Sequence, residues 1–221
     1  MLDRGRYRWH RFSVRTLLIA MSVCCVVLGA SVPYINTFRV QLRSLAAARR
    51  LQGDATVLPA AGPRWCRWVV TSILGPDSYV EVIKLDLSQK AVDDQALQSL
   101  AGLIYLQKLE LDHTRITDAG IATIAEMPDL MTLSLRFDHL TDHAAATLAE
   151  LPNLQTLYLT GTRLTDRSLP DLTKLQSLGE LYIRWTGISD DGANQLRAAL
   201  AHCAIYHQPV VGEPERVAQA H

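Results

Sequence analysis

One feature constrains this chain more than any other: its leucines return in register at a fixed interval. Leu85, Leu109, Leu133, Leu157 and Leu181 share one column, and Leu87, Leu111, Leu135, Leu159 and Ile183 the next but one. Val82, Leu106, Leu130, Leu154 and Leu178 open five units, and Leu100, Ile124, Leu148, Leu172 and Leu196 recur in the later half of each. The unit reads LxxLxLxxTxLTDxxLxxLxxLxx. Its LxxLxL part ends in alternation, so the middle leucines point inward from a short strand. The later LxxLxxL has helical spacing and turns an apolar stripe the same way. One such coil cannot bury both faces alone, whereas stacked coils share a continuous core and line up their strands as a parallel sheet. The expected fold class is therefore α/β, a solenoid of five 24-residue coils over 82–207. Both ends of such a body need lids, and residues 36–81 and AHCAIYHQPV are suited to them.

A second periodic series is acidic: Asp94, Asp118, Asp142, Asp166 and Asp190. Each stands where a coil leaves its strand for its helical side, usually after Thr or Ser. There a carboxylate accepts from free helix N–H groups and meets the positive end of the dipole. Stacked coils hold neighbouring carboxylates roughly 5 Å apart, which is tolerable only if each has its own donors. These five residues are read as structural caps, not as a catalytic or metal-binding row.

Ahead of the repeats, residues 16–35 carry no charge over 20 positions. A helix of that length crosses the ~30 Å apolar core of a bilayer. The head 1–15 is rich in arginine. Cleavage after Ala30 is disfavoured by bulky Leu28, and Val23 before Cys24 is not the small residue a lipoprotein site needs. The expected arrangement is an uncleaved single-pass anchor in the cytoplasmic membrane, with a cytoplasmic head and repeats outside. Arg39, Arg43, Arg49 and Arg50 beyond the span make the positive-inside bias slight. Next, Phe38, Leu42 and Leu45 at helical spacing predict a juxtamembrane helix stopped at Gly53. TVLPAAGP reads as a turn-rich connector, and Trp65, Trp68, Val69 and Ile73 share one helical face suited to covering the first coil. Residues 208–221 read as a flexible tail.

Formal net charge is zero, so no basic surplus exists to draw nucleic acid. The cysteines Cys24, Cys25, Cys66 and Cys203 read as small buried apolar residues. Cys66 and Cys203 sit near opposite ends of an elongated body, too far apart to bridge. FDHLTDH gathers Asp138, His139, Asp142 and His143, one coil from His113, a mixture able to hold a divalent metal. The spacing does not give these groups a common focus, so surface histidines are the expected reading and a metal-dependent hydrolase the remote one. No nucleotide-binding glycine loop, HExxH or GxSxG occurs. No enzyme and no cofactor are expected.

The outward strand positions change character along the body. They run Lys84, Asp86; Lys108, Glu110; Thr132, Ser134; Thr156, Tyr158; Glu180, Tyr182, with Arg136, Phe137, Arg184 and Trp185 just beyond the strands. Exposed aromatics beside arginine have the composition of interface hot spots. Arg136, Phe137, Tyr158, Tyr182, Arg184 and Trp185 are the candidate partner-binding residues; the alternative is that the rings pack on one another along the ladder.

Over 82–207, including the terminal HCAIYH, the chain resembles bacterial leucine-rich-repeat proteins. Over about 10–36 it resembles the membrane-anchored kind in which FSxRTLL leads into the span, here FSVRTLL from Phe12 to Leu18. The resemblance implies a leucine-rich-repeat solenoid, its parallel sheet on a concave side and its helices on the convex side, and a role in binding other molecules. At the ninth position, where many such repeats place Asn or Cys, this chain has Lys90, Thr114, Asp138, Thr162 and Thr186. Lys90 and Asp138 make that ladder uneven, so the first and third coils are expected to be looser. The expected function is partner binding on the concave face by a monomer. The partner is a protein, or else an envelope glycan; the rival is a structural envelope component without a ligand.

Overall fold

A computed structural model describes residue 36 and residues 39–59, 71–72 and 80–207. The basic head, the apolar span 16–35, Phe38, Trp65, Trp68, Val69, Ile73 and the tail 208–221 lie outside the described residues. Among the described residues, no helix is long and apolar enough to cross a membrane.

Seven strands form one sheet among the described residues, in the order of the chain. They are β1 (Asp54–Pro59), β2 (Val80–Asp86), β3 (Lys108–Glu110), β4 (Thr132–Ser134), β5 (Thr156–Tyr158), β6 (Glu180–Tyr182) and β7 (Ala204–Tyr206). From β2 to β7 all pairs are parallel, and the register joins the predicted column: Leu85 to Leu109, Leu133, Leu157, Leu181 and then Ile205. Those five leucines are at most 1% exposed. Burying each contributes roughly 1.5–3 kcal/mol relative to leaving it in water. Strands of three residues have no stability alone; the shared core and the coil-to-coil ladder make them persist. Opposite the sheet run short helical segments, Asp94–Gln98, Asp118–Ala125, Asp142–Leu148, Leu169–Leu172 and Asp190–Ala199.

Both ends depart from expectation. In the terminal AHCAIYHQPV, residues Ala204–Tyr206 form a further parallel strand, continuing the period by one step. At the other end the helix over 39–50 buries Leu45 and Ala48 in the same core as the coil leucines. The left-handed residue that ends it is Gln52 (φ 57°), not Gly53. Gln52 N–H donates to Arg49 O (3.1 Å) and Gly53 N–H to Ala48 O (3.0 Å), which closes the helix as a Schellman turn. Gly53 is required for closeness: a Cβ there would lie 2.5 Å from Leu87 Cδ2. The stretch read as a connector supplies Thr56–Pro59 of β1, which is antiparallel to β2. Without it the first parallel strand would leave a row of unpaired backbone groups, and satisfying them outweighs the turn-forming composition. Pro59 is tolerated because β1 is an edge strand.

The periodic aspartates are also not the helix N-caps. Those are Asp93, Thr117, Thr141, Thr165 and Ser189, one residue earlier, whose side chains accept from N–H groups of their own first turn. Each aspartate instead reaches the next coil. Asp94 accepts from Thr117 N (2.9 Å) and Oγ1 (2.6 Å), Asp118 from Thr141 N (2.8 Å) and Oγ1 (2.5 Å), and Asp142 from Thr165 N (2.6 Å) and Oγ1 (2.7 Å). Asp166 accepts from Ser189 N at 2.8 Å, and these Ser189 bonds hold its carboxyl below the usual range. At the last coil, Asp190 lies 3.3 Å from His207 Nδ1. A side chain at the first helical position points back off the helix, toward the neighbouring coil, which leaves the local capping to the residue before it.

Asp138 is a further inter-coil tie, contrary to the looseness expected of the third coil. It is buried, and Oδ1 accepts from Thr114 N (2.7 Å) and Thr114 Oγ1 (3.0 Å). Desolvation pushes its carboxyl up to about 7 against those two lowering bonds. By contrast Thr162 and Thr186 donate within their own coils, to Leu159 O and Ile183 O.

Two expectations follow. Asp118→Ala should lower stability by about 2 kcal/mol, since bonds to an ionised partner contribute roughly 1.5–3 kcal/mol; urea unfolding should show a smaller loss for Asp190→Ala, which is largely exposed and meets His207 at 3.3 Å in place of a threonine N–H and hydroxyl. Asp138 binds its proton more tightly folded than unfolded, so its contribution to stability falls as pH rises from about 4 through about 7. The Asp138→Asn protein should lose that slope in unfolding midpoints measured across this window; an unchanged slope would assign it to other groups.

Candidate binding face

The sheet register places the outward residues in two rows: Lys84, Lys108, Thr132, Thr156, Glu180, and Asp86, Glu110, Ser134, Tyr158, Tyr182. In the early coils Lys108, Glu110, Asp86 and Asp112 are engaged locally. Lys108 Nζ lies 2.8 Å from Glu110 Oε1, and Asp86 Oδ1 accepts from Ser88 N at 2.8 Å. Asp112 Oδ1 accepts from Ser134 Oγ and from Arg136 N, with Arg136 Nε 4.0 Å from its other oxygen.

In the late coils the second row becomes one column of rings. Tyr158 and Tyr182 stack at 4.4 Å, and Tyr182 and Tyr206 at 4.3 Å. The Arg136 guanidinium closes one end, 4.2 Å over the Tyr158 ring. Strands about 4.8 Å apart hold identical rings at stacking distance, so every coil step adds a contact. Tyr182 donates to Glu180 Oε2 at 3.2 Å; burial first, then the Glu180 carboxylate and the flanking tyrosines, keep its hydroxyl protonated above the usual phenol range. Tyr158 and Tyr182 are half-buried with their faces covered. The arrangement weighed as mutual packing is thus the one these two residues adopt.

A second column stands where each coil turns off its strand. Gln89 (φ 60°), His113 (56°), Phe137 (59°), Gly161 (75°) and Trp185 (54°) are all left-handed, one in each coil. The geometry lets the N–H of Gln89, Phe137 and Gly161 donate to the next coil, to Asp112 O (2.8 Å), Thr160 O (2.9 Å) and Arg184 O (2.8 Å). For a residue other than glycine such a backbone costs of order 1–3 kcal/mol. Only the fourth coil uses glycine, and there a Cβ would collide with the Phe137 ring at Cδ1. Phe137 leans over Gly161 toward the fifth coil: it stacks on His113 at 4.5 Å and meets Trp185 at 5.9 Å, tilted by 38°. Phe137 is 40% exposed and Trp185 55%. Arg184, between the two columns, has a buried Nε with no acceptor.

The six candidate residues therefore divide. Arg136, Tyr158 and Tyr182 belong to a closed packing column, whereas Phe137 and Trp185 keep exposed ring surface and Arg184 makes no ion pair with a described residue; the buried Nε of both arginines lacks an acceptor. Tyr206 and Gly161 were missed, although Tyr206 lies one repeat after Tyr182 and Gly161 marks the left-handed position openly. The residues weighed as metal ligands are dispersed in purpose. Asp138 faces inward to Thr114, Asp142 holds Thr165, His113 stacks on Phe137, and His139 and His143 are exposed. Among the described residues, no three His, Cys, Asp or Glu side chains converge as a metal site. Cys203 is a half-buried free thiol, its pKa raised by burial; Cys24, Cys25 and Cys66 lie outside the described residues.

Residues 104–164 match the sequence family described as leucine rich repeat. Over that span the coils are similar to leucine-rich repeats. The chain is similar to an internalin C2 from Listeria monocytogenes at 28% identity and TM-score 0.46, over 62% of this chain and 55% of that one. It is similar to a leucine-rich-repeat protein of Leptospira interrogans at 26% and 0.39, over 49% and 27%. An internalin, inlF, from Listeria monocytogenes aligns at 17% and 0.40, over 65% and 51%. The chain thus spans about half the length of these internalins and about a quarter of the Leptospira protein. Comparison with curated proteins gives no match.

The left-handed column can be tested through stability. Gln89→Gly should stabilise the protein by about 0.5–1 kcal/mol, by relieving strain at an exposed site without rings. Gly161→Ala should destabilise it by about 1–3 kcal/mol and change tryptophan fluorescence, because Phe137 must leave its place beside Trp185. A neutral Gly161→Ala variant would remove the requirement for glycine there.

Proposed function

We propose that this protein is a single-pass membrane protein whose leucine-rich repeats hold a protein partner on the strand-lined side of the solenoid; it binds rather than catalyses. Solenoids of this kind offer an extended surface of residues from successive coils, suited to macromolecular contact. The observation that carries the reading is the exposed Phe137–Trp185 pair, kept on left-handed backbone beside Arg184, which makes no ion pair with a described residue. The uncharged stretch 16–35 and the basic head support an anchor in the cytoplasmic membrane with the repeats on its outer side. Internal use of the leucine columns supports a monomer.

The test is partner capture with the intact anchored protein. Trp185→Ala should weaken capture about thirty-fold, the effect of losing a buried aromatic anchor of about 2 kcal/mol, while Lys84→Ala should change it by under ~1 kcal/mol. If Trp185→Ala lowers the melting temperature but leaves capture unchanged, the rings are packing and a structural envelope role replaces binding. Protease added from outside the cytoplasmic membrane should digest the repeats; full protection would put them in the cytoplasm.

A further inference from the structure

Two residues beyond the aromatic column runs another exposed register: Ala91, Arg115, His139, Arg163 and Gly187. A backbone ladder fixes it, Arg115 N–H donating to Val92 O (2.9 Å), His139 to Ile116 O (3.3 Å), Arg163 to Leu140 O (2.9 Å) and Gly187 to Leu164 O (2.7 Å). Arg115 and Arg163 therefore stand two coils apart, about 10 Å at the usual strand spacing. The residues between the columns, Thr114, Asp138 and Thr162, are buried, so ring and cation columns are surface neighbours.

Neither column contains a carboxylate. Arg115, Arg163 and Arg184 make no ion pair with any described residue, unlike Lys108, Arg136 and Lys174. Nearby acids are already engaged: Asp112 with Ser134 and Arg136, Asp138 with Thr114, and Asp94, Asp118 and Asp142 with the following coil. Among the described residues, the edge thus presents three guanidinium groups without an ion-pair partner beside the His113–Phe137–Trp185 rings. Guanidinium is built for two-point bonding to carboxylate, and uncompensated cations beside apolar surface fit a ligand offering both acid and ring. A chain of zero net charge has no overall basic surplus to draw a polyphosphate. Along a peptide, acidic and apolar side chains alternate at the spacing of neighbouring columns.

We propose that this edge binds an acidic peptide segment bearing an aromatic side chain, its carboxylates taken by Arg115, Arg163 and Arg184 and its ring laid on Phe137 and Trp185. The assignment deepens the partner-binding reading and shares Trp185 with it, while Arg115 and Arg163 belong to this inference alone. The full chain in nanodiscs can be titrated by fluorescence anisotropy with three probes: a labelled peptide of glutamates around a central tryptophan, the same peptide with lysine for glutamate, and an oligogalacturonate. The acidic peptide should bind, weaken with added salt, and lose at least ten-fold affinity in Trp185→Ala and in the Arg115→Gln, Arg163→Gln double variant, whose exposed positions leave the circular dichroism unchanged. Equal binding of the lysine peptide, full affinity in the double variant, or binding of the oligogalacturonate in place of the acidic peptide would overturn the proposal. Partner capture lost in Trp185→Ala but retained in the double variant sinks this inference and leaves the proposed function standing.

Discussion

A threonine and the aspartate after it do different jobs at the start of each helical segment. In Thr117-Asp118 the threonine oxygen accepts from its own first turn and its hydroxyl donates back to Asp94, while Asp118 accepts from Thr141 ahead. Each coil is held by its predecessor and holds its successor, so no coil is complete alone. The ends show the same logic. In the first coil the cap is Asp93, an acceptor without a hydroxyl to donate, and one period before Asp94 the sequence has Val70, not an aspartate needing a donor. In the last coil, where no threonine follows, Asp190 meets His207, whose Nε2 lies 2.8 Å from Ile188 O.

Because the coils are fixed so tightly in register, whatever stands at one position stands at strand spacing from its counterparts. That spacing suits flat rings, and the Tyr158–Tyr182–Tyr206 column uses it fully, capped by Arg136. Like charges gain nothing from such spacing. Several charges of the early coils are accordingly answered within the coil or across one step, as Lys108 is by Glu110 and Asp112 by Arg136. Asp138 is the extreme case: a carboxyl taken into the core between coils, stabilised by Thr114 and pushed toward its neutral form.

The leucine columns were legible in the sequence because each is one constraint stated five times, and the strand register followed from them directly. The aspartates were legible as scaffolding but not in their role, since a fixed period shows where a group recurs and not which coil it bonds. β1 was hidden because its composition reads as a turn, and only the unpaired edge of β2 gives it a reason to extend. The candidate face was legible as a set of outward residues, but not as two columns with different fates. Local rules predict glycine at a left-handed position, and Gly161 obeys them; Gln89, His113, Phe137 and Trp185 do not, so nothing in their types revealed the shared backbone.

Those exceptions bear on what the aromatic edge is for. A left-handed ring residue costs of order 1–3 kcal/mol, and an aromatic pair returns about 0.5–1.5 kcal/mol beyond its burial. Stacking thus roughly offsets the strain at Phe137, which has His113 on one side and Trp185 on the other. Trp185 has one such neighbour among the described residues and is the more exposed of the two. Strain alone would not single it out, because Gln89 bears the same backbone with no ring at all. What distinguishes Trp185 is its position: half exposed, next to a buried Arg184 nitrogen without an acceptor and on the same edge as Arg163. The Arg184 guanidinium beside it has no ion-pair partner among the described residues, so the proposed binding reading rests on the arginines as much as on the ring.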